Sequence, residues 1–138
     1  METAKQNLAT KLTQLQITRD KTKDIGSSGI KSRIERQKNT LQTLGNAAEK
    51  ARTTLEEIKI AGGEKVEDIT TWSKDVESQI AVVDEDIVYL SNCLDEVEQA
   101  EIDKGRKQQI EFERELFEQK LHFKEMELKK STPLENPT

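Results

Sequence analysis

Proline is nearly absent from this chain of 138 residues, and its two prolines lie within the last six positions. Because a proline inside a helix removes a hydrogen-bond donor and clashes with the preceding turn, the interior of the chain contains no such helix breaker. A single cysteine, Cys93, excludes an intrachain disulfide, and we expect a cytoplasmic protein. Long apolar runs and an N-terminal leader pattern are also missing, so we predict neither a membrane span nor a secretory signal.

The residues of catalytic and metal sites are equally scarce. The chain has one histidine, His122, which is distant in sequence from the only cysteine. Glu118 precedes His122 by one helical turn, but one carboxylate and one imidazole do not complete a metal site. The other carboxylates fall at positions predicted to face solvent rather than a cleft. We therefore predict no enzymatic activity, no bound metal and no cofactor.

Charged residues make up 36% of the chain and apolar residues only 33%. A compact globule normally has more apolar residues, which leaves an elongated helical bundle with a thin core or a disordered chain. A sustained apolar period favours the bundle, because disordered chains lack one. In one stretch the steps alternate between three and four residues, and nine of its ten positions are apolar: Val66, Ile69, Ser73, Val76, Ile80, Val83, Ile87, Leu90, Leu94 and Val97. This a/d heptad pattern is typical of a helix that packs one stripe against another helix.

A second seam with the same alternation precedes the first. Its positions are Ile30, Ile34, Gln37, Leu41, Leu44, Ala48, Ala51, Leu55 and Ile58. Gln37 is its polar position, and such residues often set the register of paired helices at some cost in stability. The pair Gly62-Gly63 follows, which is typical of a left-handed helix end and a tight reversal. We therefore predict an antiparallel hairpin in which the row containing Leu41 lies against the row containing Ile87.

The predicted fold is all-α: an elongated antiparallel helical hairpin or three-helix bundle with coiled-coil character and a C-terminal helical extension. The bundle covers residues 1–104, with helices at about 4–24, 29–60 and 64–104 and a loop at Asp24–Gly29. Gly105 interrupts the phase of the seam and is a candidate hinge. Residues 105–130 form the extension, a possible assembly segment, and residues 131–138 a disordered tail.

Charge is unevenly distributed along the chain. Residues 1–63 hold 12 Lys/Arg against 7 Asp/Glu, residues 64–103 hold 2 against 13, and residues 104–138 hold 8 against 7. An acidic helix that follows a basic one favours pairing within the chain. The alternative is a basic arm for nucleic acid or anionic lipid. The interspersion of the cations with threonines and acids favours the first interpretation, so we do not predict a nucleic-acid partner.

Residues 106–130 combine helical spacing with two apolar faces. At about 100° per residue, one face carries Ile110, Phe117, Leu121 and Leu128, and the roughly opposite face carries Phe112, Leu116, Phe123 and Met126. One neighbour cannot bury both faces, whereas an interfacial membrane helix would have only one. We therefore predict that these eight residues bind protein partners.

The stretch from Val66 to Lys130 resembles a known family. It contains Asp-Ile-Thr-Thr-Trp-Ser-Lys-Asp-Val-Glu, then Val-Asp-Glu-Asp-Ile-Val-Tyr-Leu, then Ile-Glu-Phe-Glu-Arg-Glu-Leu-Phe-Glu-Gln-Lys-Leu-His-Phe-Lys. These segments are similar to the helical N-terminal region of Gag-like polyproteins of BEL/Pao-type retrotransposons, in which a coiled coil precedes the capsid-like part. The zinc knuckle, protease and capsid core of those polyproteins are absent here. The resemblance implies an excerpt or remnant whose role is Gag–Gag assembly.

These patterns together predict a non-enzymatic protein–protein assembly module that self-associates through helical coiled-coil surfaces. Its partner would be a second copy or another helical protein. The alternative is a spectrin-repeat-like helical adaptor that binds a different protein. Replacing Phe117 and Leu121 with Glu separates the two, because only the first hypothesis expects self-association to be lost.

Overall fold

Four helices make up this computed structural model, which describes the backbone of residues 2–131 and the side chains of residues 2–128. They are α1 (Glu2–Arg19), α2 (Thr22–Ser27), α3 (Lys31–Ala61) and α4 (Val66–Ser131). The described residues contain no strand, so the all-α fold class is confirmed. The predicted tail lies outside the described residues, apart from Ser131 at the end of α4.

Contacts within the chain define two compact units, one ending at Val97 and the other beginning at Glu98. In the first unit, α1, α3 and the residues of α4 up to Val97 pack around two apolar clusters. One cluster is Leu15, Ile34, Leu41, Val83, Leu90 and Cys93, with Leu44 and Ile87 against it. The other is Leu8, Ala51, Leu55 and Val76, with Leu12, Trp72 and Ile80 against it. Because early residues of α3 meet late residues of α4, and late residues of α3 meet early ones, the predicted antiparallel pairing is confirmed.

The two heptad seams supply most of this core. On α4 every seam position from Ile69 to Val97 is buried or half-buried, and only Val66, with 77% of its surface accessible, is exposed. On α3 the same holds for every position after Ile30. Leu8 and Leu15 of α1 are also buried, so α1 docks on the hairpin. A helix with so short an apolar stripe gains its stability from this docking rather than from propensity.

The N-terminal region holds two helices instead of the single helix predicted for residues 4–24. At the break, the carbonyl oxygen of Thr18 accepts from the Lys21 N–H at 3.2 Å and from Gln37 Nε2 at 2.7 Å. A side chain inserted into the hydrogen-bond ladder in this way bends or ends a helix. The loop predicted at Asp24–Gly29 is also shorter, because α2 extends to Ser27 and only Gly29 adopts a positive φ, of 70°.

The turn between α3 and α4 matches the prediction from the glycine pair. The Gly62 N–H donates to the Ile58 carbonyl at 2.9 Å, and the Glu64 N–H donates to the Lys59 carbonyl at 3.2 Å. Gly63 has a φ of 74°, which is the left-handed conformation that closes a helix end and that glycine adopts without steric cost. The chain can therefore reverse within a few residues and start α4 against α3.

α4 does not end at residue 104 but continues through Gly105 to Ser131. A glycine inside a helix costs about 1 kcal/mol relative to alanine. The neighbouring residues offset this cost, since Glu, Lys, Arg and Gln are good helix formers. The predicted division of the chain into domains at residue 104 stays a prediction.

Candidate protein-binding surface

The eight predicted partner-binding residues all lie in α4, in the unit that begins at Glu98. Each has a large exposed fraction, from 40% for Leu116 to 68% for Phe123. Monomeric proteins seldom expose so many large apolar side chains on one helix, and a continuous apolar patch usually marks a binding surface. This segment is therefore the best candidate for a functional surface in the part of the chain that the structure describes.

The exposed residues form two stripes, as the helical period requires. Because α4 is continuous, residues seven positions apart share one face. We call stripe A the face with Ile110, Phe117, Leu121 and Leu128, and stripe B the face with Phe112, Leu116, Phe123 and Met126. The structure thus retains the two-faced pattern predicted from the sequence.

Local interactions alone support this part of α4 only weakly. Gln109 Nε2 donates to the Glu113 carboxylate at 3.4 Å, and Arg114 Nε donates to Glu118 at 3.3 Å. Each such pair, one helical turn apart, contributes a few tenths of a kcal/mol. Helices in water gain most of their stability by packing an apolar face, and long exposed helices without such packing are marginal. Burial of either stripe would therefore stabilise the segment.

Within the first unit, a chain of hydrogen bonds surrounds Gln37, the polar position of the α3 seam. Its Nε2 also donates to Thr22 Oγ1 at 3.3 Å, and the Thr22 hydroxyl donates to Asp86 Oδ2 at 3.3 Å. Arg19 Nε donates to the same carboxylate oxygen at 2.9 Å. These bonds connect α1, α2, α3 and α4 at one level. The cluster satisfies buried polar groups, and the role of Gln37 in setting the register of the helices stays a prediction.

A second polar cluster surrounds Arg52, which has only 8% of its surface exposed. Its guanidinium donates to Glu49, to Glu56 at 2.7 Å and to the Ser73 hydroxyl at 2.7 Å, and Glu77 lies 3.5 Å away. The hydrogen bond to Glu49 is the largest cause of a pKa of Arg52 well above its ordinary value, and burial opposes it. Ser73 is the polar position of the α4 seam, so both polar seam residues have buried partners.

The contact of α2 with α4 depends on Gly26. A Cβ at this position would lie 2.5 Å from Tyr89 Cε1 and 3.1 Å from Cys93 Sγ, so glycine permits the close approach. The hydrogen bond between Tyr89 and Cys93 raises the pKa of the Tyr89 phenol above its usual 10.0, and partial desolvation acts in the same direction. Cys93 is a buried free thiol, and its role here is packing.

One groove of the first unit is lined by charged side chains from α1 and α4. The groove beside Arg19 and Asp86 has a volume of about 400 Å³, and these two side chains are paired with each other. No group of three metal-ligating residues occurs among the described side chains, and His122 is exposed. No helix in the described range is both long and apolar enough to cross a membrane.

The sequence patterns did not single out Arg52 or Asp86. Arg52 directly follows the seam residue Ala51, and Asp86 directly precedes Ile87. A charged residue beside a seam is ordinarily solvent-exposed, so its identity carries no signal of burial. Their partners on other helices, Ser73 for Arg52 and Arg19 for Asp86, are found only in the folded structure.

Comparisons with protein-family models, with curated proteins and with solved structures yield no match for this chain. The resemblance to Gag-like polyproteins therefore stays a prediction from the residues. Among the described residues, the exposed apolar side chains of α4 are the observation that best indicates a function.

Proposed function

We propose that this chain is a non-enzymatic assembly module that self-associates through the apolar residues of α4 between Ile110 and Leu128. The proposal rests on a difference in the burial of apolar residues between two parts of α4. Apolar residues at helical spacing are covered by α1 and α3 before Val97, and apolar residues at similar spacing are exposed after Glu98. A second copy of the same segment would supply the missing cover.

The exposed side chains are numerous enough to drive association. Burying one Leu, Phe or Met side chain gains about 1.5–3 kcal/mol relative to leaving it in water. Lost translational and rotational freedom costs about 4–15 kcal/mol on association. Four apolar residues per stripe, contributed by each of two copies, are sufficient to exceed the lower part of that cost. We therefore expect a dimer or small oligomer with micromolar rather than picomolar affinity.

Sedimentation equilibrium of the full chain tests the proposal. We expect the mass to rise above that of one chain as the concentration increases through the micromolar range. The fourfold variant Phe112→Glu, Phe117→Glu, Leu121→Glu, Phe123→Glu should remain a monomer, because it places charge on both stripes. Glutamate is a good helix former, so circular dichroism should show that helix content is retained.

A control places two glutamates, half as many as the fourfold variant, on exposed apolar residues of the first unit. Ile17 and Val88 are 55% and 59% exposed, respectively, so Ile17→Glu with Val88→Glu changes the surface without touching either stripe. This variant should self-associate as the unmodified chain does. A full chain that stays monomeric at high micromolar concentration would contradict the proposal and favour the adaptor hypothesis, in which the stripes bind a different protein.

A Gag-like role would be one biological setting for such a module. In that setting the exposed stripes would join copies of a polyprotein, and the first unit would act as a structural support. This origin is a proposal from the resemblance of residues 66–130 alone.

A further inference from the structure

We infer that two copies of this chain pair through stripe B, with their α4 helices parallel and in register. This inference rests on the proposed self-association and specifies its face and orientation. Stripe B extends toward the N-terminus in steps of three and four to Ile102, which is 50% exposed. Its a positions are Ile102, Gln109, Leu116 and Phe123, and its d positions are Gly105, Phe112, Gln119 and Met126. Five of these eight positions are apolar. The a/d heptad spacing therefore spans residues 102–126, which is about 37 Å of helix.

Stripe A is the poorer seam because cations interrupt it. Its three-and-four alternation passes through Arg114 and Lys124, which lie between the apolar residues. Pairing two copies along stripe A in parallel would oppose Arg114 to Arg114 and Lys124 to Lys124 in the contact itself. Arg114 already pairs with Glu118 at 3.3 Å in its own helix. The desolvation of like charges makes stripe A unfavourable for a second copy.

The residues that flank stripe B have complementary charge in a parallel pair. In a parallel coiled coil, the residue immediately before each a position of one helix faces a residue of the other helix that is numbered five positions higher. Glu101 then faces Arg106, and Glu115 faces Lys120, and each pair occurs twice by symmetry. The remaining flanking pairs, Gln108 with Glu113 and His122 with Glu127, contain no like charges. No flanking pair between residues 101 and 127 is therefore repulsive.

The polar positions of stripe B decide the orientation. Gln109 and Gln119 lie on the seam, and a parallel in-register pair places each amide beside its own copy, where donor and acceptor can satisfy each other. An antiparallel pair also has one register with attractive flanking charges, in which Glu113 faces Lys120. That register opposes Gln119 to Leu116 and Gln109 to Met126. In that register the Gln119 amide faces an apolar side chain without a partner, which is costly, and Gln109 keeps only its long bond to Glu113 at 3.4 Å.

Two matched double variants of the full chain test the choice of face. Phe112→Glu with Phe123→Glu changes stripe B, and Phe117→Glu with Leu121→Glu changes stripe A by the same number of charges. We expect the first to raise the dimer dissociation constant by about 30-fold or more, as expected for central apolar contacts. The second should change it by less than about threefold, since its residues lie outside the contact. This expectation replaces the one drawn from the sequence alone, in which Phe117 and Leu121 were expected to be needed for self-association.

Disulfide trapping tests the orientation. In a parallel pair the two Ile102 residues face each other, so Ile102→Cys should form a covalent dimer with oxidised glutathione. In the antiparallel register the two positions would be about 46 Å apart at 1.5 Å per residue. Ile110→Cys is the matched control on stripe A and should stay uncrosslinked. The buried thiol of Cys93 is present in both variants and in the unmodified chain, which gives the baseline.

The results separate this inference from the proposal on which it rests. If the unmodified chain stays monomeric, the proposed self-association itself is wrong. If the chain dimerises but the stripe A variant alone abolishes the dimer, or if Ile102→Cys fails to crosslink in a chain that dimerises, only the parallel stripe B arrangement is overturned. Loss of the dimer in the stripe B variant together with crosslinking at residue 102 supports it.

Discussion

Leu90 and Leu121 are leucines of the same helix, yet Leu90 has no exposed surface and Leu121 keeps 46% of its surface exposed. Leu90 packs with Leu15, Ile34 and Leu41 from two other helices. Leu121 lies in the unit that begins at Glu98, whose large apolar residues keep much of their surface accessible. Apolar spacing therefore establishes which residues share a face. It does not establish which segment, of this chain or of another, covers that face.

Truncating these two leucines tests the contrast most directly and should give the largest effect. Leu90→Ala should lower the free energy of unfolding by about 3 kcal/mol, because it removes transfer energy and leaves a cavity. Leu121→Ala should lower it by less than about 0.5 kcal/mol in the monomer, as for most surface changes. Urea unfolding followed by circular dichroism at low protein concentration measures both. Equal losses would show that residues 98–131 possess a core of their own.

One arginine from each unit shows the same difference in burial as the two leucines. Arg52 is buried among Glu49, Glu56 and Ser73, whereas Arg114 pairs with Glu118 on an exposed surface with both side chains mostly accessible. Arg52→Ala should cost about 2 kcal/mol, because it leaves the Ser73 hydroxyl and two carboxylates without their donor. Arg114→Ala should cost less than about 0.5 kcal/mol. Denaturation midpoints measured in parallel for the two variants decide this, and a smaller cost at Arg52 would contradict its structural role.

Replacing either of two helical glycines with alanine should give the smallest changes in stability, one stabilising and one destabilising. A methyl group added at Gly105 would have no atom within 4 Å beyond its own helix backbone, so Gly105→Ala should stabilise the monomer by up to about 1 kcal/mol. Gly26→Ala should destabilise it by about 1 kcal/mol, because Tyr89 must move to admit the new methyl group. Thermal unfolding detects both shifts. A stabilising Gly26→Ala would mean that α2 does not need its close approach to α4.

Much of the fold follows from periodicity. The two seams predict the buried rows of α3 and α4, and Gly62-Gly63 predicts the reversal between them, because heptad spacing and a left-handed turn are local properties of the chain. The break between α1 and α2 could not be predicted in this way. At this break the Thr18 carbonyl accepts a hydrogen bond from Gln37, which is distant in sequence. α4 passes through Gly105 for a local reason, since one glycine does not outweigh good helix formers on both sides.

The candidate surface also combines features that the sequence predicts with features that only the structure shows. The eight apolar residues and their two faces are readable from the sequence, because the helical period alone sets them. The asymmetry between the faces is also present in the sequence, in Arg114 and Lys124 on stripe A. This asymmetry distinguishes the two stripes only if α4 continues unbroken through Gly105, because the heptad pattern of stripe B includes that residue.

The helical class, the two heptad rows and the two apolar faces of the last helical stretch were fixed by the amino-acid order alone, because side-chain spacing along a helix is a local geometric property. Tertiary packing was needed to establish that α1 covers the hairpin, that Arg52 is buried against Ser73 and that Asp86 pairs with Arg19. Those outcomes depend on contacts between residues far apart in the chain, and no local pattern specifies which distant group will satisfy a buried donor or cover an apolar side chain.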